Sequence, residues 1–182
     1  MKSMWMLAFC CLLCAASPAT SQRQERSSTC AGLGEQVERK YDRFKDQTTT
    51  TLKPIRLLQK ESPREELSLS VESTTKGEGQ GRPKEVVLLF TSEATRWRYY
   101  EEADAAFVVN GKRIEAGKAY ATDTLPGSRL IREKLKLTLP FEKFKEIVGG
   151  KRVEMKLGAT ELQLSAEALS SIRTFASCVT GI

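Results

Sequence analysis

Between about residues 47 and 164 apolar and polar side chains alternate with a period of two, whereas the stretches on either side space their apolar residues three and four apart. A period of two puts successive side chains on opposite faces of a strand, and a spacing of three or four keeps them on one face of a helix. At the N-terminal side Leu33, Val37, Tyr41 and Phe44 have the helical spacing, with Glu35, Glu38, Arg39 and Lys40 between them. This predicts an amphipathic helix over 31–45. At the other end Ala168, Leu169, Ile172, Phe175, Ala176 and Val179 form a helical stripe, with Ser165 placed as its cap and Leu164 and Leu169 as a staple around that cap.

The middle of the chain reads as strands. A threonine-rich strand over 47–58 contains Pro54, which consigns it to an edge or a bulge. Leu67, Leu69 and Val71 alternate with Ser68, Ser70 and Glu72, and the glycine-rich 76–83 follows as a turn. The stretch 85–91 is the most apolar and is expected near the centre of a sheet. Asn110-Gly111 between Phe107-Val108-Val109 and Lys112-Arg113-Ile114 signals a tight hairpin. Further strands are expected over 118–122 and 130–139, where Leu135, Leu137 and Leu139 face one way and Lys134, Lys136 and Thr138 the other. Pro140 then opens a short helix bearing Phe141, Phe144, Ile147 and Val148, which Gly149-Gly150 stops. A second hairpin, with Val153, Met155 and Leu157 before Gly158 and Leu162 and Leu164 after it, leads into the last helix. The expected fold class is α+β: an antiparallel, strand-rich sheet, sandwich or partial barrel, with an N-terminal helix, a short helix near 140–148 and a C-terminal helix.

The segment before this pattern has a different character. Lys2 precedes an uncharged apolar run from Trp5 to Ala16, too short to span a bilayer, and small residues around Ser17 to Ser21 follow. This is the arrangement of a cleavable signal peptide. The expected organisation is a signal over 1–19, a disordered lead-in over 20–29 and one globular domain over 30–182. No later stretch is apolar for long enough to cross a membrane, so the processed chain is expected to be secreted or periplasmic. Cys10, Cys11 and Cys14 belong to the signal, leaving Cys30 and Cys178. An even count in an oxidising compartment favours a bridge, so these two are expected to pair.

From 137 to 176 the order Leu-Thr-Leu-Pro-Phe-Glu-Lys-Phe, a short helix, Val-Glu-Met-Lys-Leu-Gly, a second strand, Leu-Ser and a final helix resembles a pattern found in uncharacterised small secreted bacterial domains. The resemblance implies the order strand, helix, strand, strand, helix. It carries no assigned activity, cofactor or site residue.

Composition narrows the chemistry. The chain has no histidine, which removes Ser-His-Asp and Cys-His nucleophile systems and histidine-ligated metals. Two cysteines at opposite ends cannot supply a thiolate site, so neither a metal nor a cofactor is expected. The acids Glu101, Glu102 and Asp104 beside Tyr99 and Tyr100 are the candidates for carboxylate hydrolysis of a glycan, a reaction that needs two convergent carboxyl groups. More distinctive is Arg96-Trp97-Arg98-Tyr99-Tyr100, which interleaves cations with aromatics. Such a set can stack on rings and fork onto anions, or can form one more half-buried strand with Trp97 and Tyr99 inward. Arg96, Trp97, Arg98 and Tyr100 are therefore the candidate binding residues.

The formal net charge of +6 points to anionic partners: a polymer, glycan or lipid headgroup, or a secreted protein, with no nucleic acid expected outside the cell. The expected function is that of a small exported, non-enzymatic binding or accessory structural module. The alternatives are the carboxylate hydrolase and an interaction domain that docks a partner on an exposed sheet edge.

Overall fold

The computed structural model describes residues 35–61, 64–78, 81–100, 102–126 and 129–180. The alternating segments become nine strands: β1 (Val37–Asp42), β2 (Gln47–Glu61), β3 (Arg64–Lys76), β4 (Glu85–Ala94), β5 (Glu102–Val109), β6 (Lys112–Pro126), β7 (Ile131–Pro140), β8 (Val153–Leu157) and β9 (Thr160–Gln163). Helix α1 (Phe141–Gly149) separates β7 from β8, and α2 (Ala166–Thr180) follows β9. The strands lie in the order β1-β2-β3-β4-β7-β6-β5-β8-β9 and form a half-barrel. All neighbouring pairs are antiparallel.

This corrects the α+β expectation. Among the described residues the protein is mostly antiparallel sheet with two short helices, 17% helical, and no N-terminal helix is seen. Of the stretch 31–45, the part from residue 35 onward is described, and it is a strand and a turn. The reason lies in the spacing itself. Val37 and Tyr41 are four residues apart, which is close to one helical turn but also an even number, so both share one face of a strand as well. Val37 is 1% exposed and faces Leu52 across the β1–β2 ladder, while Tyr41 faces Thr48. The β-branched run Thr48–Thr51 offers a partner that a helix could not use. Asp42 closes the turn, its carboxylate accepting the N–H groups of Phe44 and Lys45. Phe44, on the buried stripe of the helical reading, projects into solvent at 87% exposure.

Elsewhere local chemistry and fold agree. Asn110 and Gly111 both have positive φ, 50° and 86°, as a primed hairpin turn requires. Gly117, at φ 95°, accompanies the register slip opposite Ala105 and Ala106, so the stretches 112–114 and 118–122 belong to one bulged strand. Pro54 lies in the break of the β2–β3 register between Leu52 and Ile55. The Ser165 hydroxyl accepts the Ala168 N–H at 3.1 Å and caps α2. The order β7-α1-β8-β9-α2 is the strand, helix, strand, strand, helix succession read over 137–176.

The core lies on the face covered by the helices. Leu67, Leu69 and Val71 of β3, Val86, Leu88 and Phe90 of β4, and Leu135, Leu137 and Leu139 of β7 are each at most 3% exposed. Helix α2 packs on β1, β2 and β3, and α1 packs on β4, β7 and α2. Phe141 and Phe144 stack, and Phe144 meets Phe175 of α2 edge-on. An apolar void of about 20 Å³ remains beside Leu88, Phe107, Phe144 and Ile172, room for little more than one water. Cys178 is buried in α2 and is disulfide-bonded. Every other cysteine, and with them the signal-like segment, the lead-in over 20–29 and Leu33, lies outside the described residues.

Candidate functional site

The strand order creates a local problem whose solution forms the site. β4 is followed in sequence by β5 but in space by β7 and β6, so the connection 95–101 must cross two strand ends. A crossing segment has no ladder to satisfy its backbone. Glu133, on β7, supplies the acceptors: its carboxylate receives the N–H of Arg98 at 2.9 Å, of Tyr99 at 3.0 Å and of Tyr100 at 2.8 Å. Glu133 is 0% exposed. Three successive N–H groups thus converge on one carboxylate, and Tyr100, the last of them, adopts a positive φ of 53°.

Two further bonds fix the crossing. Arg98 donates to buried Glu65 of β3 at 2.6 Å, and Glu65 also meets Lys60 at 3.4 Å. The Tyr99 hydroxyl is 3.0 Å from the Thr160 hydroxyl. Burial of Tyr99 raises its phenol above the ordinary value, against the lowering effect of the Thr160 hydrogen bond and Arg98. An acid whose folded value is raised stabilises the fold fully below its unfolded value of about 10, and that stability is lost as pH rises through the folded value. Tyr99→Phe should therefore flatten the alkaline limb of stability measured by urea unfolding above about pH 10. It should cost about 1 kcal/mol at neutral pH through the lost hydrogen bond.

With Arg98 and Tyr99 turned to the body of the protein, Trp97 and Tyr100 face solvent, 45% and 65% exposed. Their rings meet edge to face, centroids 5.9 Å apart and planes at 80°. Arg96 beside them is exposed and has no ion-pair partner among the described residues. Three of the four candidate binding residues thus share one exposed corner, and the fourth, Arg98, holds that corner in place. The segment is a loop and not a half-buried strand.

Sequence reasoning passed over Glu133 and Glu65, although a signal for both was present. Glu133 has the parity of Leu135, Leu137 and Leu139, and Glu65 that of Leu67, Leu69 and Val71. A carboxylate on an apolar strand face is buried, and a buried charge must be matched.

The described members of the acidic cluster, Glu102 and Asp104, lie side by side on the outward face of β5. Glu102 and Asp104 are exposed, Glu102 is paired with Lys118, and Ala103 between them points inward. Glu101 lies outside the described residues. Neither Glu102 nor Asp104 lines the apolar void or the open cleft of about 430 Å³ beside the β3–β4 turn. The described residues contain no cluster of metal-ligating side chains and no helix long and apolar enough to cross a membrane. No described strand pairs with the outer edge of β2 beyond Lys53, which bonds Gln36. That edge carries Pro54 and two register breaks, features that disfavour strand addition.

The outward basic faces are laced with ion pairs: Arg132–Glu93, Lys134–Asp123, Lys156–Glu161 and Lys112–Glu146. Compared with protein-family models, curated proteins and solved structures, the chain finds no match in any of the three.

Proposed function

We propose that this chain is an exported, non-enzymatic binding module that holds an acidic glycan on the corner formed by Trp97, Tyr100 and Arg96. The observation that carries the reading is the exposed ring pair on a loop bolted down by Glu133 and by the Arg98–Glu65 pair. Leaving two large rings in solvent forgoes their burial, and fixing their backbone removes an ordering cost that a ligand would otherwise meet. Two ring faces at right angles suit a sugar ring, and Arg96 suits its carboxylate or sulfate. Disulfide-bonded Cys178 and the signal-like start of the chain support an oxidising compartment, secreted or periplasmic. We assign its partner to the sole cysteine beyond the signal-like segment, Cys30.

Screening the mature protein against neutral and acidic glycans and anionic lipid vesicles tests the reading. Trp97→Ala should weaken glycan binding by about 30-fold, the effect of losing a central aromatic anchor. Thermal stability should stay within about 0.5 kcal/mol of the parent, since the ring is exposed. Unchanged glycan affinity in Trp97→Ala would remove the reading.

A further inference from the structure

The register of the sheet places a second aromatic and a second unmatched cation next to this corner. Tyr120 of β6, 56% exposed, lies opposite Glu102 of β5 and opposite Lys136 of β7, and Lys136 lies opposite Leu89 of β4. Paired residues of a ladder point to the same side, here the face opposite the helices. On that face of β7, Arg132 and Lys134 are engaged by Glu93 and Asp123, whereas Lys136 has no ion-pair partner among the described residues. The acids near Tyr120 are Glu102 and Asp104 on its β5 side, where Glu102 pairs with Lys118 and Asp104 faces the same lysine, and Asp123 further along β6, which Lys134 engages. The β7 side of the ring is hydroxylic and basic, with Thr138 and Ser70 flanking Lys136 and Leu89 in the ladders.

The two stations are close. Tyr100 is two residues from Glu102, at most about 7 Å along the chain, and Glu102 is about 5 Å from Tyr120 across the ladder. Each station pairs an exposed ring with one unmatched cation, and a single sugar ring cannot cover both. We infer that the ligand is a linear acidic polysaccharide, which runs from the Trp97–Tyr100 corner onto the outer sheet face over Tyr120 and Lys136, with Glu102 and Asp104 bounding its path. The inference rests on the reading of the corner given above. A single-stranded nucleic acid carries a charge on every nucleotide and calls for a continuous basic groove. Two ring stations within about 12 Å of each other along the backbone, each with one unmatched cation, match a polymer of sparser charge.

The experiment is calorimetric titration with glucuronic acid and with hyaluronan oligosaccharides of increasing length, which carry a carboxylate on every second sugar, with oligo-thymidylate as a comparison. In the parent protein affinity should rise about tenfold or more as the oligomer becomes long enough to reach the second station. Tyr120→Ala and Lys136→Gln should abolish that rise and leave the affinity of the shortest bound oligomer unchanged. Trp97→Ala should weaken every length. A rise with length that survives both Tyr120→Ala and Lys136→Gln overturns the track while leaving the corner standing. Unchanged binding in Trp97→Ala overturns the corner itself. Binding of oligo-thymidylate without binding of any acidic oligosaccharide overturns both. Both variant positions are exposed, and a thermal melt matching the parent confirms that each variant is folded.

Discussion

Glu133→Ala should lower the free energy of unfolding by about 3–5 kcal/mol, an unusually large effect for one carboxylate. The variant removes the acceptor for three consecutive N–H groups, of which that of Tyr99 is buried and those of Arg98 and Tyr100 are partly so. Each orphaned donor costs about 1–3 kcal/mol when water cannot reach it, and the two partly buried ones recover part of that through solvent. Glu133→Gln should fall between the parent and the alanine variant. Its carbonyl oxygen can serve the two N–H groups now on Oε1, but its amide nitrogen then confronts the Arg98 N–H, donor against donor. Urea unfolding reads the loss as a lower midpoint at unchanged slope. Fluorescence of Trp97 in the mature chain should report a loosened corner below the main transition. A loss under about 1 kcal/mol in Glu133→Ala would mean that the crossing segment does not depend on this carboxylate.

Removal of the bridge at Cys178 should have an effect of similar size. If it closes on Cys30, the loop holds about 150 residues, for which the chain-entropy model gives roughly 5 kcal/mol. The start of β1 already lies against α2, where the Ser171 hydroxyl donates to the Gln36 side chain at 2.8 Å. Cys178 is two helical turns further along α2, about 10 Å, and Cys30 is six residues before Gln36, within about 20 Å of reach. Such a bond ties the segment that leads into β1 to the helix that packs against that strand. Cys30→Ser, Cys178→Ala and the double variant should lose the same stability in urea unfolding without reductant. Peptide mapping without reduction should recover the two cysteines together. Two free thiols in the native mature protein, or a stability unchanged by reductant, would remove the pair.

The period of the pattern was a sound guide wherever its alternatives were physically distinct. At Gly150, whose backbone is extended with φ −69°, a Cβ would collide with distant Val109, whereas Pro140 opens the short helix because proline suits a helix start, whatever the distant residues. Asn110-Gly111 is a hairpin for the same local reason. The pattern misled at Val37 and Tyr41, where a spacing of four satisfies helix and strand alike, and the outcome was decided by the threonine strand that pairs with them. Trp97 and Tyr100 were legible as a binding candidate from composition, but not as a corner. Their exposure follows from the crossing of β7 and β6, and that crossing follows from a strand order that no local signal encodes.

The amino-acid sequence by itself determined the strands after β1, the two helices, their caps and turns, the parity of each of those strands' buried faces and the absence of histidine chemistry. Each of these depends on neighbours a few residues apart, through backbone sterics, local hydrogen bonds and side-chain periodicity. Only the tertiary structure decided that β5 joins β8, that β4 lies against β7, and that Glu133, some 33 to 35 residues from its donors, should hold the loop between β4 and β5. Those choices are made by which buried faces fit together and which buried polar groups can be matched, quantities that exist once distant segments meet.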